Sequence, residues 1–260
     1  MADFLDILVK DVKKTIEAGY YKIENRSIIK RYLGLTDSIR RCKHAPIIAE
    51  IKPASPSHGN LRQIGSLRDI ALAMEKGGAA GISILTEPKH FKGSIKSLTE
   101  VQGYVSLPIL MKDIIIDPVQ IEAAAKAGAN AVLFIFSVFE RGYVNYSIQE
   151  MIELAHSRKL EVLLETHNKS QFLSALETDA DLVGINNRDL QTLKVDLKVT
   201  QRVLSGMVEY PKIIVSESGI QKPEDIRFLH DCGAQAFLVG SAFMLAENLE
   251  NKVREFVLAL

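Results

Sequence analysis

The sequence has 260 residues, enough for one large domain or two small ones, and its composition, 47% hydrophobic and 25% charged, is that of an ordinary globular protein. Lysine plus arginine and aspartate plus glutamate number 32 each, so the charge balance gives no reason to expect binding to nucleic acid or to an anionic membrane. No apolar stretch approaches the roughly 20 residues that span a bilayer, and the acidic, amphipathic start MADFLDILVKDVKK differs from a signal peptide. With only two isolated cysteines, Cys42 and Cys232, these features predict a cytoplasmic protein with reduced thiols.

The first 45 residues precede the main pattern of the chain. Their apolar spacing indicates helices, with a break at Gly34. We expect residues 1–45 to form a helical extension that caps the floor or covers the mouth of the fold that follows.

Eight short apolar runs rich in β-branched residues follow the extension. Their hydrophobicity is continuous rather than alternating, which is typical of strands covered on both faces in a parallel sheet. These predicted strands lie at 46–52, 81–86, 108–112, 131–137, 160–166, 182–187, 212–218 and 236–241. Segments with helical spacing separate them, for example 66–78, 117–130 and 222–234. The repeated strand–helix unit predicts a (β/α)₈ TIM barrel over residues 46–260, and the absence of any linker predicts a single domain over 1–260.

Charged side chains close the first predicted strand, although its other residues are apolar. Glu50 and Lys52 are two positions apart and therefore point to the same side, over the barrel mouth. Functional groups of this fold gather at the carboxyl ends of the strands. Four more strands end in the same way, on Lys112, on Glu165, on Asn186 with Arg188 beyond it, and on Glu217. Barrel interiors also contain structural salt bridges, but polar groups at five of eight strand ends favour a catalytic cavity.

Turns with small residues follow the seventh and eighth predicted strands. SESGI contains Ser218 and Gly219, and LVGSAFM contains Gly240 and Ser241. Small residues let backbone N–H groups approach an anion, and the loops after the last two strands of this fold commonly hold phosphate. The pattern predicts a phosphorylated small molecule as the substrate. The turn SPSHG at 55–59 is by itself typical of an ordinary loop.

Two other classes of protein fit a phosphate-binding barrel with a lysine at a strand end. One is a Schiff-base aldolase, in which Lys112 would attack a carbonyl carbon and the adduct would be trapped by borohydride. The other is a catalytically inactive barrel that serves as a binding subunit. The presence of candidate acids and bases at the strand ends disfavours this second class.

Seven segments of the chain together match the pattern of one known family. They are AEIKPASPSHG, LTEPKHFKGS, ILMKDIIIDPVQI, LLETHN, GINNRDLQTLKVD, VSESGI and FLVGSAFM. In their order and spacing they resemble the indole-3-glycerol-phosphate synthase family of tryptophan biosynthesis. Other tryptophan- and histidine-pathway barrels share the phosphate end, but they do not need the Glu-x-Lys-x-x-Ser-Pro-Ser arrangement. The resemblance implies a carboxy-lyase that converts 1-(2-carboxyphenylamino)-1-deoxyribulose 5-phosphate to indole-3-glycerol phosphate, carbon dioxide and water, without a metal or organic cofactor.

The resemblance also implies roles for the charged strand ends. Lys112 would protonate the keto oxygen during ring closure, and we expect a lowered pKa for a lysine in a partly desolvated cavity near another cation. Lys52 would lie close by, and the division of acid roles between the two lysines stays open. Glu165 would be the base in dehydration, and Glu50 would orient the lysines or assist proton transfer.

The remaining matched residues would bind substrate. Asn186 and Arg188 would hold hydroxyl and carboxylate groups, since a guanidinium suits a planar carboxylate. Ser55 and Phe91 would close the mouth and contact the anthranilate ring. The predicted catalytic set is therefore Glu50, Lys52, Lys112, Glu165, Asn186 and Glu217, and the binding set is Ser55, Phe91, Arg188, Ser218, Gly219, Gly240 and Ser241. We expect a monomer that associates at most weakly with other tryptophan-pathway enzymes.

Two positions depart from the family pattern. Ile114 stands where the family usually has phenylalanine, a loss of roughly 1 kcal/mol of aromatic contact, and Phe134 or Phe136 is the conjectured replacement. Pro53 replaces a basic residue near the mouth. The histidines show no metal-ligand spacing, and His167 is the one candidate among them for the mouth.

Overall fold

Eight parallel strands close into a barrel in the computed structural model, which describes residues 3–24, 33–52, 54–55, 59–60, 66–207 and 209–260. Within these residues the strands are β1 (Ile47–Ile51), β2 (Ala54–Ser55), β3 (Gly59–Asn60), β4 (Gly81–Leu85), β5 (Ile109–Lys112), β6 (Ala131–Ile135), β7 (Glu161–Thr166), β8 (Leu182–Asn186), β9 (Ile213–Glu217) and β10 (Ala236–Val239). The helices are α1 (Phe4–Glu17), α2 (Leu35–Arg40), α3 (Leu67–Lys76), α4 (Lys96–Gln102), α5 (Pro118–Ala127), α6 (Phe136–Glu140), α7 (Ile148–Ser157), α8 (Lys169–Leu176), α9 (Lys198–Leu204), α10 (Pro223–Asp231), α11 (Ser241–Met244) and α12 (Leu249–Val257).

The barrel consists of β1 and β4 to β10. Successive barrel strands pair in parallel, and β1 closes the ring by pairing with β10. β2 and β3 form a small antiparallel pair just after β1. The predicted (β/α)₈ barrel is confirmed. The predicted strand at 131–137 is wrong at its end, because the chain turns into α6 at Phe136.

The barrel strands are buried on both faces, which explains their continuous hydrophobicity. Alternate residues, for example Ile48 and Leu110, belong to the apolar cluster inside the barrel, while Ala49 and Met111 belong to the cluster between strands and helices. Because side chains alternate along a strand, the position two residues after an inward apolar residue also faces inward. The periodicity that builds the core therefore also directs the charged strand ends into the barrel mouth.

Helix ends follow the sequence signals. Asp117 caps α5, Pro118 occupies its first position, and Gly128 just beyond it has a φ of 87°, which glycine adopts without strain. Pro223 likewise begins α10. Among the described residues, no helix has both the length and the apolar character needed to cross a membrane.

Helix α1 lies at the barrel mouth, where ion pairs hold it to two loops. Near its start Asp6 contacts Arg141 at 3.0 Å. One to two turns further along, Asp11 contacts Lys89 Nζ at 2.7 Å and His90 Nε2 at 2.9 Å. The first part of the extension thus covers the mouth.

Helix α2 lies at the opposite end of the barrel. Thr36 donates its backbone N–H to the carboxylate of Glu161, the first residue of β7, at 3.0 Å. Ser38 donates its hydroxyl to the carbonyl oxygen of Ala80, just before β4. The extension expected at either the floor or the mouth therefore reaches both.

Candidate active site

A cavity of about 430 Å³ lies at the carboxyl ends of the barrel strands, beside α1. The predicted site residues that line it are Glu50, Lys52, Phe91, Lys112, Glu165, Asn186, Arg188, Ser218, Gly219, Gly240 and Ser241. Glu217 is fully buried and reaches the same cluster through Lys112. Pro53 and the side chain of Ser55 lie outside the described residues. Within the part of the chain that the structure describes, no group of three or more histidine, cysteine, aspartate or glutamate side chains is arranged to hold a metal ion.

Two lysines and two glutamates form a compact charged cluster at the base of the cavity. Lys112 Nζ lies 3.0 Å from Glu217 Oε2 and 3.4 Å from Glu50 Oε1. Glu50 Oε2 also contacts Lys52 Nζ at 2.8 Å. These side chains are between 0% and 16% exposed, so water screens their interactions little.

The cluster sets the ionisation of its members. Burial opposes the charge on Glu50, but the ammonium groups of Lys52 and Lys112 outweigh it and hold the pKa of Glu50 at about 2. Burial also favours the neutral amine of Lys112, but three carboxylates, led by that of Glu217, raise its pKa above the usual value for lysine. The expected lowering of this pKa is wrong, because the neighbouring carboxylates outnumber the neighbouring cation. Lys112 is therefore an ammonium ion with a proton to donate.

Glu165 lies in the same cavity as a candidate base. Burial raises the pKa of Glu165 and of Glu217, while Lys112 opposes that rise in both. A carboxylate with a raised pKa binds a proton more strongly, which suits a group that must remove one from carbon. His167 Nε2 lies 3.3 Å from Glu165 Oε1, and burial lowers the pKa of His167 to about 4, so its imidazole is neutral at neutral pH. This histidine contacts the candidate base and does not line the cavity itself.

Short turns follow β9 and β10 on one side of the cavity. Ser218 and Gly219 both have left-handed backbones, with φ of 66° and 87°, and thereby end β9 abruptly. Gly240 leads directly from β10 into α11 at Ser241. The structure brings these two turns to the same wall, as the prediction of a phosphate site requires.

The rest of the wall is mostly apolar. Its described residues include Phe4, Leu8, Phe91, Ile114, Leu133 and Ile135. The conjectured replacement of the missing aromatic side chain by Phe134 or Phe136 is wrong, since both pack in the cluster between strands and helices, and the Phe134 ring centroid lies 5.8 Å from that of Phe139. An additional aromatic ring comes from Phe4 of α1, which sequence reasoning could not place because the docking of α1 is a tertiary contact.

Glu87, in the loop between β4 and α4, is a buried residue that sequence reasoning missed. Its carboxylate accepts hydrogen bonds from the backbone N–H groups of Lys89, His90 and Phe91, at 2.9, 2.7 and 3.0 Å. The loop therefore holds Phe91 against the cavity and directs two basic side chains toward Asp11 of α1. The available signal was a glutamate just after a buried strand, as at the other strand ends.

The fold and the site define a (β/α)₈-barrel enzyme with buried acid–base groups beside small-residue turns. The family model described as indole-3-glycerol phosphate synthase matches residues 5–256. The indole-3-glycerol phosphate synthase of Methanocaldococcus jannaschii is 43% identical over 270 aligned residues, covering 98% of each chain. That of Methanopyrus kandleri is 40% identical, covering 97% of each chain. This chain belongs to the indole-3-glycerol phosphate synthase family, and the resemblance seen in its motifs is confirmed.

More distant solved structures share the fold. The N-acetylmannosamine-6-phosphate 2-epimerase from Clostridium perfringens is 15% identical with a TM-score of 0.60, covering 84% of this chain and 93% of that one. The thiamine phosphate pyrophosphorylase from Pyrococcus furiosus is 17% identical with a TM-score of 0.59, covering 84% and 95%. At such identities the likeness is one of barrel architecture alone.

Proposed function

We propose that this cavity converts 1-(2-carboxyphenylamino)-1-deoxyribulose 5-phosphate to indole-3-glycerol phosphate, carbon dioxide and water, the reaction of its family. One observation carries the assignment of roles: the Lys112 ammonium lies between two buried carboxylates at the end of a largely apolar cavity. An aromatic ring would fit such a wall, and the keto oxygen of the substrate would then lie next to the Lys112 ammonium. The activity makes the chain a carbon–carbon lyase of tryptophan biosynthesis.

The two ends of the substrate would bind to different walls. The phosphate would lie at the turns of Ser218–Gly219 and Gly240–Ser241, where backbone N–H groups can surround an anion. The anthranilate ring would pack against Phe91 and Ile114. Arg188 is half-buried, and Nη1 of its guanidinium donates to the carbonyl oxygen of Leu193 at 2.9 Å, which leaves other N–H groups for a substrate carboxylate.

Ring closure would begin the reaction. The aromatic carbon that bears the carboxylate attacks the keto carbon, and the electron pair of the carbonyl bond moves to oxygen. Lys112 donates its proton to that oxygen, which becomes a hydroxyl group. Glu50 and Glu217 hold the ammonium in place and stabilise its charge before transfer.

Two eliminations would complete the reaction. Cleavage of the carbon–carboxylate bond releases carbon dioxide, and its electron pair restores the aromatic ring. Glu165 then removes a proton from the methylene carbon beside the nitrogen, and the hydroxyl group leaves as water with a proton from Lys52. The product is the indole, and Asn186 at the end of β8 would hold a substrate hydroxyl during these steps.

A direct assay tests the proposal. The purified chain is incubated with the carboxyphenylamino deoxyribulose phosphate, and indole fluorescence is followed. We expect fluorescence to rise, and no signal above a no-enzyme control would reject the activity. The aldolase alternative is tested with borohydride and substrate: the raised pKa of Lys112 makes it a poor amine nucleophile, so we expect no trapped adduct.

We also propose that residues 1–260 act as one domain, that the protein is a cytoplasmic monomer, and that Ser55 helps to close the mouth. The docking of α1 at the mouth and of α2 at the floor supports a single unit. Sedimentation equilibrium would test the monomer, and a mass twice that of the 28.8 kDa chain would reject it. Coelution with other tryptophan-pathway enzymes would test for weak association.

A further inference from the structure

Asn187 follows β8 and lies behind the turn of Ser218 and Gly219, outside the predicted site. It is only 1% exposed. Its Nδ2 donates to Ser216 Oγ at 3.0 Å and to the Ser218 carbonyl oxygen at 3.2 Å. Its Oδ1 accepts from the backbone N–H and the hydroxyl of Thr200 at 3.1 and 2.9 Å. Both donors and both acceptor positions of the amide are therefore used.

The bond to Ser218 fixes the orientation of one peptide group. In a trans peptide the C=O and the following N–H point in opposite directions. Because Asn187 holds the Ser218 carbonyl on the buried side of the turn, the N–H of Gly219 is directed to the other side, toward the cavity that both residues of the turn line. Ser218 has a left-handed backbone, which residues other than glycine adopt uncommonly, and the bond from Asn187 helps to hold it there.

The backbone of Asn187 supports the other side of the same turn. Its carbonyl oxygen accepts from the N–H of Asp196 at 3.0 Å. The neighbouring Val195 packs so closely that a Cβ atom at Gly219 would lie 2.3 Å from Val195 Cγ1. The side chain of Asn187 thus holds the Ser218 carbonyl group, and the backbone of Asn187 holds the segment 195–196 that packs against Gly219.

We propose that Asn187 is a positioning residue that sets the affinity for the substrate's phosphate by aiming the Gly219 N–H into the cavity. This inference rests on the proposed function, which places the phosphate at that turn. The described hydrogen bonds of the Asn187 side chain go to Ser216, Ser218 and Thr200, and to none of the charged side chains of the cluster. The backbone N–H of Asn187 donates to the Glu217 carbonyl oxygen at 2.9 Å, and a side-chain substitution leaves that bond in place. Its effect therefore falls on binding and not on proton transfer.

The test is Asn187→Ala, with Asn130→Ala as the matched control. Asn130 precedes β6 at the other end of the barrel, where its Oδ1 accepts from the N–H of Ile109 at 3.0 Å. We expect Asn187→Ala to raise KM about tenfold and to leave kcat within about twofold, since the lost bonds act on one phosphate donor. The inhibition constant for inorganic phosphate should rise by a similar factor. Asn130→Ala should change neither constant, even if it lowers Tm.

A second variant keeps the test open if the alanine variant does not fold. Asn187→Asp preserves the shape of the side chain and the acceptor toward Thr200, but loses the amide donors toward Ser216 and Ser218. It should raise KM and the phosphate inhibition constant in the same way. An unchanged inhibition constant in the folded variant, or a fall in kcat without a rise in KM, would overturn the inference. Failure of the proposed function is a different result, because the wild-type protein would then form no indole product.

Discussion

The carboxylate of Glu50 lies against Gly240 so closely that a Cβ atom at position 240 would stand 2.3 Å from Glu50 Oε2. The same oxygen contacts Lys52 at 2.8 Å, and the other oxygen of Glu50 faces Lys112. The turn after β10 therefore borders the charged cluster as well as the wall proposed to bind phosphate. Gly240 makes room for the Glu50 carboxylate, a role that the sequence motif alone does not indicate.

Gly240→Ala should consequently damage turnover as well as binding. The backbone of Gly240 has a φ of −122°, so alanine meets no left-handed strain there, and the methyl group itself is what displaces Glu50. We expect kcat to fall at least tenfold and KM to rise, because misplaced catalytic groups lose rate steeply with small displacements. Gly103→Ala is the control, since a Cβ atom there would meet nothing within 4 Å. A variant with raised KM and normal kcat would show that Gly240 serves the phosphate alone.

Lys112→Arg separates the charge of Lys112 from its proton. Arginine keeps a cation between Glu50 and Glu217, but a guanidinium does not release a proton at ordinary pH. We expect kcat to fall by about 10²- to 10⁴-fold with a much smaller change in KM. Because the pKa of Lys112 is raised above its ordinary value of 10.5, Lys112 should stay protonated at any pH below 10.5. The wild-type protein should therefore lose no activity through deprotonation of Lys112 in that range. A Lys112→Arg variant with near-normal kcat would exclude Lys112 as the proton donor.

The barrel and the gathering of most predicted residues at one cavity could be predicted because they depend on local periodicity. Continuous apolar runs define the strands, and the alternation of side chains places Glu50 and Lys112 on the inner face at strand ends. The same reasoning could not give the pKa of Lys112, since that depends on how many carboxylates from other strands surround it. The sequence shows which residues carry a charge, whereas the number of opposite charges around Lys112 depends on how the strands pack.

Contacts between distant segments account for what the sequence did not predict. Asn187 has an interior partner on β9 and another on α9, and nothing in its own neighbourhood of the chain distinguishes it from Asn186. Phe4 joins the cavity wall only because α1 docks at the mouth. Glu87 acts on backbone N–H groups of its own loop, so its role required the loop conformation.

Glu50→Gln tests whether the ion pair of Glu50 with Lys52 is catalytic or structural. The variant removes the partner of Lys52, while Lys112 keeps its contact with Glu217. We expect a folded protein with strongly reduced kcat and an altered pH–rate profile, because Lys112 loses one of the carboxylates that favour its charged form. A destabilised variant with normal activity per folded molecule would identify the pair as structural.

The wild-type protein and Glu50→Gln should also differ in how their stability depends on acid pH. The pKa of Glu50 is held at about 2 in the folded protein, below its ordinary value of 4.5. A depressed pKa stabilises the folded state above pH 4.5, and the stabilisation is lost as the pH falls from there toward 2. Tm of the wild-type protein should therefore fall more steeply across this window than Tm of Glu50→Gln. Parallel curves would mean that Glu50 has a similar pKa in the folded and unfolded chains.

Asp11→Asn tests whether the contacts of α1 shape the cavity. Asp11 pairs with Lys89 and His90, and the same loop holds Phe91 at the cavity wall through Glu87. Loss of the negative charge removes the ion pair with Lys89, so α1 and the loop should separate more often and the apolar wall should loosen. We expect KM to rise severalfold with little change in kcat, because the charged cluster is untouched. The difference from wild type should shrink as salt is added, since salt weakens the ion pair of Asp11 with Lys89 in the wild-type protein.

Glu224→Gln, which removes an exposed ion pair with Arg227 on α10, is the matched control for Asp11→Asn and should leave KM unchanged. Equal KM values for Asp11→Asn and wild type at low salt would show that α1 covers the mouth without shaping the site.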